Sequence, residues 1–511
     1  MQYFSSNLQI IQQDHSKSTY KRLHNYSHKQ NKMKFIRVLP EIIFNLPHQN
    51  QCVPMQKAVI CILLMLTLLY SCREYGLEPI ATNQSLLPTP RMNKFSEEIM
   101  KSVYLWADFI QDRHPDPELD PQSFFSKLIY EKEDSPSWSH IDGHYTAPNA
   151  STDGFENGFG YRLSFYFGME DYFAQINFIY PGSPADRAGL KRGDLILRVN
   201  NLAVIGLWDL YYSNTVRLQL GKLNADGSIT SRQGLVTLTA ERFETNPIVK
   251  DTVIRQYGKT IGYLHYAEYV NNNKNSLDDL SAAFARFKQA GVTEFILDLR
   301  YNPGGYLSSA CYLCSHLAPF TTVNNRSLLV SKHWNKETTR KLNGHSRYFE
   351  ERFDNSDKVL ANNLNLKRLY VFTGENTASA SELTISGLRS YMPVITIGQK
   401  THGKYVGSVT YVPDDKELSN WAVHPIVFSY LNAHNESVKG GIYPTYPMTE
   451  TPESMKALGD PEEPMLKATL DLIGGKPFIM QTTRRLPLFR RILTDEETNR
   501  MTLIETPLPT E

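Results

Sequence analysis

The sequence predicts a multidomain α/β protein: a small helical N-terminal domain, a compact α+β domain, and a larger layered α/β core. Three observations carry this. From residue 246 onward, apolar strand-like runs alternate with amphipathic helical stretches, the pattern of a layered α/β domain. Residues 155–245 instead hold short runs of strand composition separated by turn residues. Residues 96–150 carry an amphipathic helical stretch followed by proline-rich loops. The chain has 511 residues, enough for two to four domains, and its 41% hydrophobic and 21% charged content is an ordinary globular balance.

The first segment is set apart by charge. Residues 1–54 hold seven Lys/Arg against two Asp/Glu, whereas residues 72–511 hold 46 against 51. The formal net charge of +1 argues against a dedicated nucleic-acid binder. After Lys57, the apolar run from Ala58 to Tyr70 covers 13 residues and ends at Ser71-Cys72. That is short for a bilayer span but has the anatomy of a signal peptide. A cysteine after a small residue resembles a bacterial lipobox, although Tyr70 departs from the usual aliphatic pattern. The resemblance implies that Cys72 is acylated and holds the protein to a membrane of the cell envelope. Met55 stands at the right distance to be the true start, which makes residues 1–54 non-native upstream sequence and 55–71 the signal peptide.

Residues 72–95, rich in Pro, Thr, Asn and Ser, are expected to be a tether. A helix is expected over 97–111, with Ile99, Val103, Trp106, Phe109 and Ile110 on its apolar face, and a shorter one near 124–130. In the next domain, strands are expected at 163–167 and 173–180. Residues 181–201 then read PGSPADRAGLKRGDLILRVNN: a turn, a short helix from Ser183-Pro184, a Gly-Asp turn and a strand. This string closely resembles the PDZ signature. The resemblance implies that residues 155–245 bind an extended peptide as an added strand, with its terminal carboxylate in a loop of backbone N–H groups. That loop corresponds to Gly158, Phe159, Gly160 and Tyr161. The alternative is that Gly158 and Gly160 are plain turn residues.

The core is expected to cover 246–479. Strands are expected at 261–267, 295–299, 369–372 and 394–397, with helices at 276–290 and 380–389. Residues 331–362 read as an insertion or lid and 480–511 as a loosely ordered tail. Cys311 and Cys314 fall on one apolar helical stretch, so they read as small core residues; no second pair is spaced to complete a metal site.

Chemistry concentrates in three places. A glycine-rich turn, Arg300-Tyr301-Asn302-Pro303-Gly304-Gly305, follows a buried strand. Ser379, in Thr377-Ala378-Ser379-Ala380-Ser381-Glu382, sits between a strand and a helix, where outward N–H groups and the helix dipole favour an oxyanion. Twenty-five residues later comes Lys404. A serine hydroxyl needs a base, and lysine serves only when desolvation lowers its pKa. Val406, Val409, Ile395 and Ile397 are the expected apolar surroundings. The order and spacing of these pieces closely resemble the carboxyl-terminal processing proteases, or tail-specific proteases, over residues 96 to about 475. The N-terminal helices further resemble lipoprotein members from Bacteroides-like bacteria. The resemblance implies a crotonase-like α/β core, Ser379 as nucleophile, Lys404 as general base, and an oxyanion hole from Ala380 with Gly304 or Gly305. Family members often add a polar residue four positions after the lysine or an Asp eleven after the serine; Ser408 and Ser390 stand there instead.

Two other patterns carry less. The run from Gly398 to Lys404 nearly spells a phosphate-binding loop, but Tyr405 and a strand-like stretch follow where Ser/Thr and a helix are required. His402 neighbours Lys404, but alternate side chains of an extended segment face opposite ways. No cofactor is called for. The expected partners are proteins or peptides with free C-termini. The rival readings are an inactive PDZ scaffold on the envelope and a crotonase-like acyl-CoA enzyme.

Overall fold

The computed structural model describes residues 88–504 apart from 135–137, 146–153, 169–170, 205–207, 225, 271–275, 480–488 and 493–501. Cys72, the signal peptide and the upstream segment lie outside the described residues. Residues 86–511 form one compact unit.

Helix α1 (Pro88–Val103) opens the described chain, more than two turns earlier than expected at both ends, so residues 88–95 are helical rather than tether. Residues 107–109 form only a 3-10 turn. Helix α2 (Pro121–Ser126) is capped by Asp120, whose side chain accepts from the Ser123 N–H at 3.0 Å. These helices are not a free-standing domain. Met100, Tyr104, Ile110 and Leu128 pack with Val406, Val423 and Ile426 of the core, and residues 140–142 pair antiparallel with 422–424.

The second domain is an antiparallel sheet built from β1 (Tyr161–Gly168), β2 (Asp171–Ile179), β3 (Leu195–Val199) and β4 (Thr215–Leu223), adjacent in that order. Ser183 caps the short helix α3 (Pro184–Arg187) as its position before proline predicts. Helix α4 (Trp208–Tyr212) lies beside the sheet, and Leu163, Ile176, Ile196, Leu210 and Leu218 share one core.

The third domain has two sheets. In chain order its elements are β5 (Ile248–Gln256), β6 (Lys259–Tyr266), α5 (Ser276–Gln289), β7 (Glu294–Asp298), β8 (Gly304–Tyr306), α6 (Leu307–Leu317), β9 (Leu328–Trp334), β10 (Glu350–Arg352), β11 (Leu369–Thr373), α7 (Ala380–Arg389), β12 (Val394–Gly398), β13 (Val406–Ser408), β14 (Ile426–Asn432), β15 (Tyr446–Pro447) and α8 (Pro464–Ile473). The main sheet runs β5-β6-β7-β11-β12-β15 and is parallel except for the β5/β6 hairpin. Both its faces are covered, which is why its strands are almost wholly apolar. Leu264, Phe295, Leu297 and Val371 face α5, α6 and α7, while Tyr263, Ile296, Tyr370, Phe372 and Ile397 face α8. The second sheet contains β13-β14-β9-β10. The segment expected as an insertion or lid (331–362) therefore supplies the second half of β9 and all of β10, and its Trp334, Phe353 and Val359 are core residues.

The tail also departs from expectation. Residues after α8 include two strands, β16 (Arg490–Ile492) and β17 (Thr502–Ile504). β16 adds to β1 at the edge of the second domain, and β17 joins the second core sheet between β8 and β13.

Candidate active site

Three adjacent parallel strands, β7, β11 and β12, deliver the chemical residues from their carboxyl ends. They end at Asp298, Thr373 and Gly398, and six residues beyond each stand Gly304, Ser379 and Lys404. Loops diverge at the carboxyl ends of parallel strands, and the crevice left there is where α/β sheets bind ligands.

Ser379 is the N-cap of α7, with φ 59° and ψ −112°. A positive φ costs a residue that has a Cβ, so the turn into the helix is strained. Ser379 is buried, and its Oγ has no hydrogen-bond partner among the described residues. Ser381, the competing serine, is already committed: its Oγ donates to the Asn302 carbonyl at 3.1 Å.

Glu382 is the residue that sequence reasoning passed over. It is fully buried. Its Oε2 accepts from the backbone N–H groups of both Ser379 (2.8 Å) and Lys404 (2.9 Å). Its Oε1 accepts from Thr401 Oγ1 (2.5 Å) and the Gly403 N–H (2.6 Å). Tyr430 Oη lies 3.2 and 3.3 Å from the carbonyl oxygens of the same two residues, Ser379 and Lys404. Two buried side chains thus fasten the serine turn to the lysine loop. The signal was present as Ser-x-x-Glu, a capping box. Only its glutamate arm reaches the cap backbone; the serine oxygen is left without a partner. Burial pushes the Glu382 carboxyl up to about 7, with Thr401 and the three N–H groups pulling the other way.

Lys404 is also buried, and its Nζ lies 5.8 Å from the Trp138 ring. Burial pushes its ammonium down to about 8, while the charges of Asp134 and Glu382 act in the opposite sense. Asp134 is held by the Tyr104 hydroxyl (3.0 Å) and the Ser139 N–H (3.1 Å). The surroundings differ from those expected. Ile395 and Ile397 belong to the face under α8, and Val409 to the central core. The N-terminal segment supplies the aromatic ring and the carboxylate near the lysine. His402 donates its N–H to the Thr377 carbonyl (3.0 Å) and sets its ring edge-on to Trp138 at 6.4 Å.

The glycine turn is stitched to the serine turn by Asn302. Its Nδ2 donates to the Tyr266 carbonyl at 2.8 Å, and its own carbonyl accepts from Ala378 N–H at 3.3 Å and from Ser381. Its Oδ1 takes the Gly304 N–H at 2.9 Å, so of the two glycine N–H groups in the turn that of Gly304 is already engaged. On one edge of β8, Tyr269 N–H donates to Gly304 O and Tyr306 N–H donates to Tyr269 O. Strand N–H groups alternate in direction, so the Gly305 N–H points to the other edge. Gly305 has φ 132°, and a Cβ there would lie 2.1 Å from the Tyr269 carbonyl oxygen. Ala380 N–H lies in the first turn of α7, where helical N–H groups lack intrahelical partners. Ser390 caps the far end of α7, about 15 Å from the site by helix rise, too far to orient Lys404. Ser408 sits in β13.

In the second domain, Gly158 is not part of a free loop: it closes a short strand and pairs with Glu241. Tyr161 begins β1, which leaves Phe159 and Gly160 between the two strands. Gly160 is needed at φ 84° because a Cβ would come within 2.0 Å of Ser183 Cβ. Elsewhere, Cys311 and Cys314 are buried in α6 and not joined by a disulfide, and burial raises the Cys314 thiol to about 12.

Comparison with known proteins agrees with this layout. The family model of peptidase family S41 matches residues 260–448, and that of the PDZ domain matches 175–210. A carboxyl-terminal-processing protease of Synechocystis is 23% identical over 314 residues, covering 60% of this chain and 66% of its own length. A carboxyl-terminal-processing protease of Picosynechococcus is 24% identical over 351 residues, covering 66% and 76%. The matched stretch thus spans about two thirds of the first relative and three quarters of the second. A crystal structure of a Bacteroides fragilis protein assigned to the S41 proteases is 28% identical, with a TM-score of 0.63, covering 75% of this chain and 97% of that one. The comparisons thus support a PDZ-containing carboxyl-terminal-processing protease of peptidase family S41, a serine-type peptidase.

Proposed function

We propose that this protein hydrolyses peptide bonds with Ser379 as nucleophile and Lys404 as general base. The observation that carries the reading is the Glu382 carboxylate, one oxygen of which holds the backbone N–H of both residues. Lys404, neutral in a buried site, takes the proton from Ser379 Oγ as the oxygen attacks the substrate carbonyl. The oxyanion that forms meets the N–H groups of Ala380 and Gly305. Lysine then returns the proton to the leaving amine, and water repeats the sequence on the acyl-enzyme. The PDZ domain selects substrates by their free C-termini, paired along β1. The apolar run before Ser71-Cys72 supports attachment to the cell envelope through acylated Cys72, with secreted or periplasmic proteins as substrates.

The test is cleavage of a protein with a free apolar C-terminus by wild type, Ser379→Ala and Lys404→Ala. Ser379→Ala is expected to abolish turnover and keep binding. Lys404→Ala is expected to lose about 10²–10⁴-fold, the size of a general-base contribution. Lys404→Arg is expected to fail as well, because guanidinium stays protonated. A Lys404→Ala enzyme within tenfold of wild type sinks the dyad. Wild type that neither cleaves nor reacts with a serine-directed fluorophosphonate sinks the peptidase reading in favour of a PDZ scaffold.

A further inference from the structure

The C-terminal tail touches both peptide-handling edges of the molecule. β16 pairs antiparallel with β1, setting Arg490 opposite Phe167, Arg491 opposite Tyr166 and Ile492 opposite Phe165. It therefore runs toward Tyr161 and the Phe159-Gly160 loop, the polarity a PDZ ligand needs to present its C-terminus there. Two side-chain contacts anchor this strand. Phe489 is buried against Phe173, ring centroids 5.1 Å apart, and Arg491 pairs with Glu375 in the loop leading to Ser379 at 3.3 Å. Phe489, Arg490 and Arg491 also line a cavity of about 300 Å³ together with Tyr166, Arg300 and Thr373.

Farther on, β17 lies parallel to β8, with Leu503 opposite Gly305, and parallel to β13, with Ile504 opposite Ser408. β8 begins at the glycine turn, and β13 begins two residues after Lys404. The edge of β8 that β17 covers is the edge to which the Gly305 N–H points. A substrate strand entering between the oxyanion turn and the lysine strand must use the same backbone groups.

We propose that residues 489–492 and 502–504 are built-in substrate mimics that occupy the PDZ edge and the cleft before Ser379, respectively, and compete with incoming peptides there. This rests on that cleft being the place where substrate binds. Backbone pairing is exclusive, since each N–H and C=O of a strand edge serves one neighbour. A tethered segment also acts at an effective concentration of about 1 mM, so a tail with an intrinsic Kd of about 10 μM would weaken substrate binding roughly 100-fold.

The test uses the Ser379→Ala protein, so that binding is read without turnover. The probe is a fluorescein-labelled peptide with the sequence of residues 486–508, followed by fluorescence anisotropy. It is expected to bind a chain ending at residue 479 with micromolar Kd, and the full-length chain at least tenfold more weakly. Ile492→Pro and Ile504→Pro in the full-length chain each remove a strand N–H, and are expected to recover part of the lost affinity. Equal affinity for the full-length and shortened chains, or no binding to either, overturns the proposal. So does a proline pair that binds as weakly as the unsubstituted chain. In the Ser379-containing enzyme, the shortened chain is expected to show a kcat/KM at least tenfold above full length. If neither chain cleaves, the peptidase reading fails, while the anisotropy result still decides the tail.

Discussion

At the scale of residues, two buried ionisable groups give the site its pH dependence. If Lys404 is the base, as proposed, it must be neutral to accept the serine proton, so activity should rise as pH passes upward through about 8. Glu382 accepts four donors and must be ionised to keep them all, so the clamp should loosen as pH falls through about 7. A kcat profile from pH 6 to 9.5 is expected to climb over that interval with no plateau near neutrality; a plateau already reached at pH 6.5 would point to a different base. Glu382→Gln isolates the second group. Its amide nitrogen would strand the Ser379 and Lys404 N–H groups if it took the place of Oε2, or the Gly403 N–H if it took that of Oε1, where the Thr401 hydroxyl can turn to accept. The expected result is a fall in kcat of about 10²-fold with KM within a few-fold, since misplacement of the reacting groups by about 1 Å costs that much. Ser379, Lys404 and the glycine turn were proposed from their order and spacing, and the structure sets each six residues beyond the end of a buried strand. Asp134 and Trp138 were not, because they reach Lys404 from some 270 residues away and from a segment with no chemical signature of its own.

At the scale of elements, legibility followed burial. The strands of the main sheet are covered on both faces and read as continuous apolar runs, so β6, β7, β11 and β12 came out within about two residues of their observed ends. β16 and β17 are three residues long and exist only by distant pairing, β16 with a strand more than 300 residues earlier and β17 with strands some 200 and 100 residues earlier, so no local periodicity could announce them. The start of α1 was missed because Pro88 and Pro90 read as tether, although proline is well tolerated in a first helical turn. The strand β8 makes the sharpest element-level prediction. Gly305→Ala places a methyl group 2.1 Å from the Tyr269 carbonyl oxygen, at a φ of 132° that alanine avoids. The backbone on both sides is pinned by Asn302 and by Tyr269, so the turn must shift and take the Gly305 N–H with it. If Gly305 serves the oxyanion as proposed, a loss of about 10²–10³-fold in kcat is expected, the cost of one such donor. Gly234→Ala is the control. It also has a positive φ, 83°, but nothing lies within 4 Å of its added methyl group, so kcat should not move.

At the scale of the whole molecule, the PDZ domain and the core are joined by a buried ionic cluster. Arg300 contacts Asp298 (2.8 Å), Glu450 (2.8 Å) and Glu463 (2.9 Å) at once, with its side chain almost wholly buried. Arg192 enters from the turn before β3. It pairs with Glu450 and donates to the Tyr301 hydroxyl at 2.8 Å and to the Asn177 carbonyl at 2.6 Å. Tyr301 in turn donates to Glu450 and sits beside Asn302 at the head of the glycine turn. The Coulomb attraction of Arg192 and Arg300 outweighs the cost of burying Glu450, whose carboxyl is held below its ordinary range. The two arginines are not equivalent in this arrangement. Removing Arg300 leaves three carboxylates short of a partner, and Asp298 and Glu463 have no second arginine in the cluster to turn to. Stranding a buried charge costs about 3–5 kcal/mol. Removing Arg192 leaves Glu450 with Arg300 and the Tyr301 hydroxyl, so the loss should be closer to that of one charged hydrogen bond, about 1.5–3 kcal/mol. Arg300→Met should therefore lower the thermal midpoint by several degrees more than Arg192→Met. Calorimetry of the two variants at pH 7 checks this, and the reverse order would mean that Arg192, at the junction of the two domains, is the true anchor of the cluster.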